Sequence, residues 1–155
     1  MEVELIIRNA IIIDGRKTPR YAGDLAVAAG RILAVGDLSS VNAADVIDAN
    51  GLAVCPGFID VHNHSDAWLL VDPSFLVKTS QGFTTEVLMS DGISYAPVDS
   101  STIDEWLYYL APLNGLSAAN YSGWRSLADF YRLLDRETAQ NTVAQIPYAN
   151  IRALV

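Results

Sequence analysis

Both histidines of the chain lie in one short segment, GFIDVHNHSD, where His62 and His64 are separated by a single residue. Neutral imidazole is a good ligand for zinc and for similar divalent metals. If a strand runs through this segment, alternate side chains share one face, so Asp60, His62 and His64 point the same way. Two imidazoles placed in this way can bind one metal ion, while Asp60 can accept a hydrogen bond from a ligand histidine and fix its tautomer. The segment therefore predicts part of a metal site.

The spacing of the two histidines does not by itself establish that site, because short histidine motifs also occur as polar surface residues. Their position adds support, since they follow an apolar run opened by Pro56-Gly57, and the ends of strands carry functional residues in α/β folds. Asp66 lies just beyond the histidines. It is expected either to line the mouth of the site and contact substrate or to cap the segment AWLLV, as aspartate often does at helix N-termini.

Residues 1–55 read as short strands and turns. The run from Glu4 to Ile13 is rich in β-branched residues, which favour strands. The runs 24–28 and 31–35 are separated only by Ala29-Gly30 and predict a hairpin. Two further short strands are expected at 45–48 and 52–54. Five brief strands without a helical period predict a small antiparallel sheet or sandwich.

Residues 56–155 show a different pattern, in which strands alternate with helices. Strands are predicted at 58–62 and 83–89, and a helix between them at about 73–80, with Gly82 as its stop signal. Apolar residues at helical spacing then predict two helices, one around 103–110 and one around 127–134. The apolar run 151–155 is expected to be another strand. This alternation is typical of a parallel α/β fold.

Composition excludes several classes of function. The 155 residues are 51% hydrophobic, which is enough for a substantial core, and the net charge is −8. An acidic chain has no electrostatic attraction to phosphate backbones or to anionic lipids, so neither nucleic acid nor a membrane is an expected partner. The single Cys55 cannot form an intrachain disulfide. Together with an N-terminus that lacks the features of a signal peptide, this predicts a cytoplasmic protein.

The segment AVCPGFIDVHNHSD, after its β-rich beginning, resembles the start of the amidohydrolase superfamily, whose signature is P-G-x-I-D-x-H-x-H. The stretch LLVDPSFLVKTSQGFTTEVLMSDGISYAPV is similar to the N-acyl-D-amino-acid deacylase (D-aminoacylase) branch. In that branch a helix ending in Q-G-x-T-T leads into a strand and then a C-G-I-S or D-G-x-S turn before A-P. The closing NIRALV is similar to the next strand of that family. The resemblance covers essentially the whole chain.

The resemblance implies an α/β fold in which residues 1–55 form part of a small β-sandwich and residues 56–155 begin a (β/α)₈ barrel. It implies that His62 and His64 bind one or two zinc ions at the end of barrel strand 1. The turn after strand 2 supplies a further candidate ligand, Asp91, where many deacylases have cysteine. A carboxylate can also bind zinc, but Asp91-Gly92 is also a common turn pair. The sequence leaves both roles of Asp91 open.

The activity implied is hydrolysis of the amide bond of N-acyl-D-amino acids, which are small-molecule substrates. A complete barrel takes about 250 residues, and the chain contains no further histidine. We therefore expect it to be an N-terminal fragment that is inactive alone, with more ligands, a catalytic aspartate and the rest of the barrel beyond Val155. Two alternatives are a cyclic-amide hydrolase of the dihydroorotase or hydantoinase kind, which lacks the G-I-S-x-A-P turn, and a non-catalytic α/β domain.

Overall fold

A computed structural model describes residues 3–114 and 116–155. The chain divides into two compact units, Met1–Pro56 and Gly57–Val155. The first unit contains strands only, whereas the second combines strands and helices. No helix in the described parts of the chain combines the length and apolar character that crossing a membrane requires.

The first unit is a five-stranded sheet around its first strand. Its strands are β1 (Leu5–Ile12), β2 (Tyr21–Ala28), β3 (Arg31–Gly36), β4 (Asp45–Asp48) and β5 (Ala53–Val54). The order is β3-β2-β1-β4, and β5 pairs with β1 beyond the end of β4. The apolar alternation of β1 places Ile6, Ala10 and Ile12 in the interior, each less than 5% exposed, so burial of one face of this strand stabilises the unit.

The prediction of an antiparallel sheet is only partly right. The β2–β3 hairpin and the β1–β2 pair are antiparallel, as expected, but β4 and β5 both run parallel to β1. The connection between β3 and β4 carries the chain back across the sheet, so that β4 enters in the same direction as β1. Such a crossover, rather than a tight turn, is what parallel pairing requires. The turn at Asn50-Gly51, where both residues have positive φ, then moves the chain from β4 to β5 along the same edge.

The second unit contains a three-stranded parallel sheet. Its elements in chain order are β6 (Phe58–Asp60), α1 (Trp68–Val71), α2 (Leu76–Thr79), β7 (Phe83–Leu88), α3 (Ile103–Asn114), α4 (Leu127–Leu134), β8 (Asn141–Ala144) and α5 (Tyr148–Ala153). The sheet order is β6-β7-β8, and both pairs are parallel. Because helices lie in both connections, the observed class is mixed α/β, as predicted.

Helices and loops build one apolar core in this unit. Phe130 of α4 and Leu110 of α3 are each no more than 1% exposed. The Phe130 ring packs edge-on against Trp124, with ring centroids 5.6 Å apart. Helix α4 begins with a capping box, because Ser126 accepts the backbone N–H of Asp129 and Asp129 in turn accepts that of Ser126. The helical spacing read from the sequence therefore places these residues correctly.

Two predictions for this unit were wrong, and a third, the helix at about 73–80, was only partly right. The run 151–155, expected to be a strand, lies mostly in helix α5, and the third strand is β8 at 141–144. The helix expected at 73–80 is the short α2, preceded by α1. The strand expected at 58–62 is the shorter β6, and it leaves Phe58 and Ile59 more than half exposed, because it pairs only with β7 among the described residues.

Candidate metal centre

The two histidines lie immediately beyond the carboxyl end of β6. That strand ends at Asp60, so His62 and His64 belong to the following loop rather than to the strand. The alternation of side chains along a strand therefore does not explain where the two imidazoles lie. Their rings nevertheless lie next to each other in an edge-to-face arrangement, with centroids 5.9 Å apart and planes inclined by 77°.

Asp91 lies in the turn beyond the carboxyl end of the neighbouring strand β7. It has φ 60° and ψ 11°, the left-handed conformation that aspartate and asparagine tolerate better than most residues. Met89 and Gly92 also have positive φ, so the chain bends sharply here. Asp91 is thus part of a turn, and this turn carries its carboxylate to the histidines.

One carboxylate faces both imidazoles. Asp91 Oδ1 lies 3.5 Å from His62 Nε2, and Asp91 Oδ2 lies 3.2 Å from His64 Nε2. A ligand atom from each of the three residues lies within 4.8 Å of the other two. Ligand atoms around a tetrahedral zinc ion are separated by roughly 3.3 Å, given bonds of about 2.0–2.1 Å. The two distances between imidazole nitrogen and carboxylate oxygen are close to this spacing, and the donors are of the types that zinc prefers, so these three residues could hold the ion.

The cluster is open on one side. The side chains of His62 and Asp91 are 64% and 57% exposed, whereas that of His64 is 20% exposed. Three protein ligands with an accessible further position are the arrangement found in catalytic zinc sites, in contrast to the closed set of structural sites. Without a metal, the same three groups would form ordinary polar pairs between histidine and aspartate. That is the simpler alternative to a metal site.

The residue between the histidines fastens their loop to β7. Asn63 donates its side-chain N–H to the carbonyls of Asp60 and Val87, at 3.4 and 3.3 Å, and accepts the backbone N–H of Ser65 at 2.9 Å. Its own backbone N–H donates to Ser90 Oγ at 3.3 Å. Because Ser90 precedes Asp91, these bonds connect the histidine loop to the turn that carries the aspartate.

Asp60 has different partners from those expected. Its carboxylate accepts the backbone N–H of His62 at 3.2 Å and forms an ion pair with Lys78 Nζ at 2.6 Å. Burial disfavours its ionisation, but the bonds from Lys78 and His62 outweigh that effect and hold the pKa of Asp60 below its ordinary value. In the described structure Asp60 therefore orients the backbone of His62 rather than its imidazole.

Asp66 is buried, and neither role expected for it matches its position. It is 2% exposed, so it does not line an open mouth. Helix α1 begins after Ala67 without a side-chain cap, so Asp66 is not its cap either. Instead Asp66 Oδ1 accepts the backbone N–H of Met89 at 2.9 Å. Burial raises the pKa of Asp66 to about 6. Its contact secures the end of β7, two residues before Asp91.

A charged network behind the histidines was missed in the sequence. Lys78 Nζ bonds Glu86 Oε2 at 2.7 Å as well as Asp60, and Gln140 donates to Glu86 Oε1 at 2.8 Å. One signal for it was present: Glu86 interrupts the apolar strand run FTTEVLM. A charge in a strand between two others must be paired when it is buried, and Glu86 is fully buried.

The fold and this cluster define a mixed α/β protein with a candidate metal centre where two parallel strands end. No family model matches the chain. Two curated relatives from Alcaligenes xylosoxydans xylosoxydans are an N-acyl-D-aspartate deacylase, 40% identical over 99% of the chain, and a D-aminoacylase, 36% identical over 98%. The chain spans about 30% of the length of each.

Solved structures of deacylases are also similar to this chain. The N-acyl-D-glutamate deacylase of Bordetella bronchiseptica, complexed with zinc and a phosphonate mimic of the tetrahedral intermediate, matches with a TM-score of 0.81 at 34% identity. A D-aminoacylase described as defining a subset of amidohydrolases matches with a TM-score of 0.79 at 31% identity. These matches cover 98% and 97% of the chain and 31% of each structure. The chain is homologous to the N-terminal part of the N-acyl-D-amino-acid deacylases within the amidohydrolases, which confirms the resemblance read from the sequence.

Proposed function

We propose that the chain supplies the first zinc ligands of a hydrolase that cleaves the amide bond of N-acyl-D-amino acids. The observation that carries this proposal is the convergence of His62, His64 and Asp91 donor atoms within 4.8 Å of one another, in a chain homologous to deacylases. One of the similar structures is a zinc complex, and another D-aminoacylase is described as having a binuclear metal centre. Both observations favour one or two zinc ions at this position.

We also propose that β6, β7 and β8 are the first three strands of a (β/α)₈ barrel, and that residues 1–55 contribute to a small β-sandwich. The parallel order β6-β7-β8, with helices in both connections, supports the barrel, since successive parallel strands joined through helices are its repeating element. The position of the cluster supports it as well, because active sites of such barrels lie at the carboxyl ends of the strands.

In this proposal His62, His64 and Asp91 hold zinc, which when bound lowers the pKa of water to about 7 and polarises the scissile carbonyl. The residues of this chain bind the metal and orient the segment that carries its ligands. Asp60 and Asn63 fix the backbone of the histidine loop, and Asp91 faces both imidazoles through one oxygen each. Further ligands and the aspartate that transfers a proton are expected on later strands, outside the 155 residues.

The deacylase reading is favoured over the cyclic-amide alternative. A dihydroorotase of Aquifex aeolicus is 31% identical over 84% of the chain, against 40% over 99% for the N-acyl-D-aspartate deacylase. An N-acyl-D-glutamate deacylase is also 34% identical over 97%. The similarity to deacylases thus covers more of the chain and is higher in identity.

The test is an activity assay on the product of the complete coding sequence, including any residues that follow Val155. We expect a glycine-histidine-glycine stretch within a few residues, then two histidines and an aspartate. We also expect zinc-dependent release of D-amino acids from N-acyl-D-aspartate, N-acyl-D-glutamate or a neutral N-acyl-D-amino acid, but not from the L-enantiomers. His62→Ala should abolish turnover. Hydrolysis of dihydroorotate alone, or a continuation without histidines, would overturn the proposal.

A further inference from the structure

The ammonium group of Lys78 lies where three acceptors converge. Its Nζ is 2.6 Å from Asp60 Oδ2, 2.7 Å from Glu86 Oε2 and 3.0 Å from Ser65 Oγ. An ammonium group has three N–H donors, so each donor of Lys78 has one partner. The Lys78 side chain is 18% exposed and that of Glu86 is fully buried, which means that solvent screens this interaction only slightly.

Two of these acceptors flank the histidine segment. Asp60 precedes His62 and accepts its backbone N–H, while Ser65 directly follows His64. Lys78 is thus bonded to the residue at which β6 ends and to the residue that closes the loop. Both ends of the four-residue segment 61–64 are attached to one cation on helix α2.

The third acceptor connects that cation to the next strand. Glu86 lies opposite Asp60 in the parallel pairing of β6 with β7. Its second oxygen accepts a hydrogen bond from Gln140, near the start of β8. Lys78 therefore joins the beginning of the histidine loop, its end, and the strand that leads to Asp91.

We propose that Lys78 is a positioning residue for the metal ligands. By bonding Asp60 and Ser65 together, it fixes the loop in which His62 and His64 present their nitrogens to Asp91. Among the described residues, Lys78 forms no hydrogen bond or ion pair with the three ligands themselves. This inference rests on the proposed function, because the loop that Lys78 fixes carries two of the proposed ligands.

If Lys78 merely stabilised the fold, it would act through its ion pair with Glu86. A change at Gln140 distinguishes that role from the positioning of the histidine loop. Gln140 also bonds Glu86 but forms no hydrogen bond with Asp60 or Ser65 in the described structure. Gln140→Met therefore disturbs the same buried carboxylate without releasing the histidine loop. Ser65→Ala does the converse, since it removes one bond of Lys78 to the loop and leaves Glu86 paired.

The experiment measures zinc affinity by isothermal titration calorimetry, and amide hydrogen exchange at residues 62–65 in the metal-free chain by NMR. The variants are Lys78→Met, Lys78→Arg, Ser65→Ala and Gln140→Met. Loss of a group that orients metal ligands weakens metal binding about 10–100-fold, which is the effect we expect for Lys78→Met, with a smaller loss for Lys78→Arg and Ser65→Ala. Amide exchange in the loop should accelerate in the same order, while Gln140→Met leaves both quantities near wild type.

Wild-type zinc affinity and wild-type exchange in Lys78→Met would overturn the proposal, and so would a Gln140→Met variant that loses zinc affinity equally. If Lys78→Met does not fold, Ser65→Ala decides by the same two measurements. If the wild-type chain binds no zinc, the proposed metal site fails. Unchanged exchange in the variants would then refute the positioning role of Lys78 independently.

Discussion

Removing the positive charge of Lys78 should destabilise the second unit strongly. The change Lys78→Met keeps an unbranched apolar stem but leaves Glu86, which is fully buried, without its counter-ion. Breaking one partner of a buried ion pair costs about 3–5 kcal/mol. We expect about 3 kcal/mol, at the lower end of that range, because Gln140 continues to donate to Glu86 Oε1 at 2.8 Å.

Urea unfolding followed by tryptophan fluorescence measures this change selectively. All three tryptophans (Trp68, Trp106 and Trp124) lie in the unit Gly57–Val155, so their fluorescence reports that unit. With a dependence on urea of about 1–3 kcal/mol per molar, a loss of about 3 kcal/mol lowers the unfolding midpoint by roughly 1–3 M.

The matched control is Arg132→Met, the same change of a cation to methionine at an exposed pair. Arg132 bonds Asp129 at 2.8 Å, but its side chain is 72% exposed, and exposed ion pairs contribute little. The double variant Lys78→Met/Glu86→Gln should recover a large part of the lost stability, since it removes the uncompensated charge. The reasoning would be refuted if Lys78→Met shifted the midpoint no more than Arg132→Met, or if the second change gave no recovery.

Two further predictions concern backbone packing and alkaline pH. A methyl group at Gly57 would lie 2.7 Å from Thr84 Cβ and closer to its hydroxyl and methyl groups, so Gly57→Ala should cost about 1–3 kcal/mol. In the Thr84→Gly background, where the clash is absent, Gly57→Ala should lower the urea midpoint much less. An unchanged midpoint in the single variant Gly57→Ala would contradict this packing. Burial raises the pKa of Tyr131 to about 12, with a contribution from the Asp66 carboxylate, and burial raises the pKa of Tyr95 to about 12 as well. Because the folded state holds these protons more tightly than the unfolded state, both residues lower stability as the pH rises from about 10 to about 12. Tyr131→Phe should remove one late step from the phenolate absorbance titration and lessen this loss, and an unaltered late titration would show that Tyr131 is not the group concerned.

Elements with a clear period could be read from the sequence. The pattern of β1 and the spacing of α4 gave their positions within about one residue, because each buries one face against a core and the periodicity records that face. The run 151–155 could not be assigned in this way. Five apolar or helix-forming residues are too few to distinguish a strand from a helix, and the structure places most of them in α5.

The site shows the same division between local and long-range information. His62 and His64 lie close in sequence, so their spacing predicted a shared site, and the resemblance added Asp91. The partners of Asp60 could not be predicted, because Lys78 and Glu86 reach it only through the packing of α2 and the pairing of β6 with β7. Strand β8 was missed for a similar reason, since its short polar sequence forms a strand by pairing with β7.

The most direct test of the central claim is a zinc titration of the wild-type chain beside four alanine variants. His62→Ala, His64→Ala and Asp91→Ala each remove one proposed ligand, while Asp104→Ala removes an exposed aspartate from the first turn of α3. We predict saturable zinc binding by the wild type and by Asp104→Ala, and severe loss of affinity in each of the other three. Equal zinc affinity in all five proteins would show that His62, His64 and Asp91 do not form a metal site.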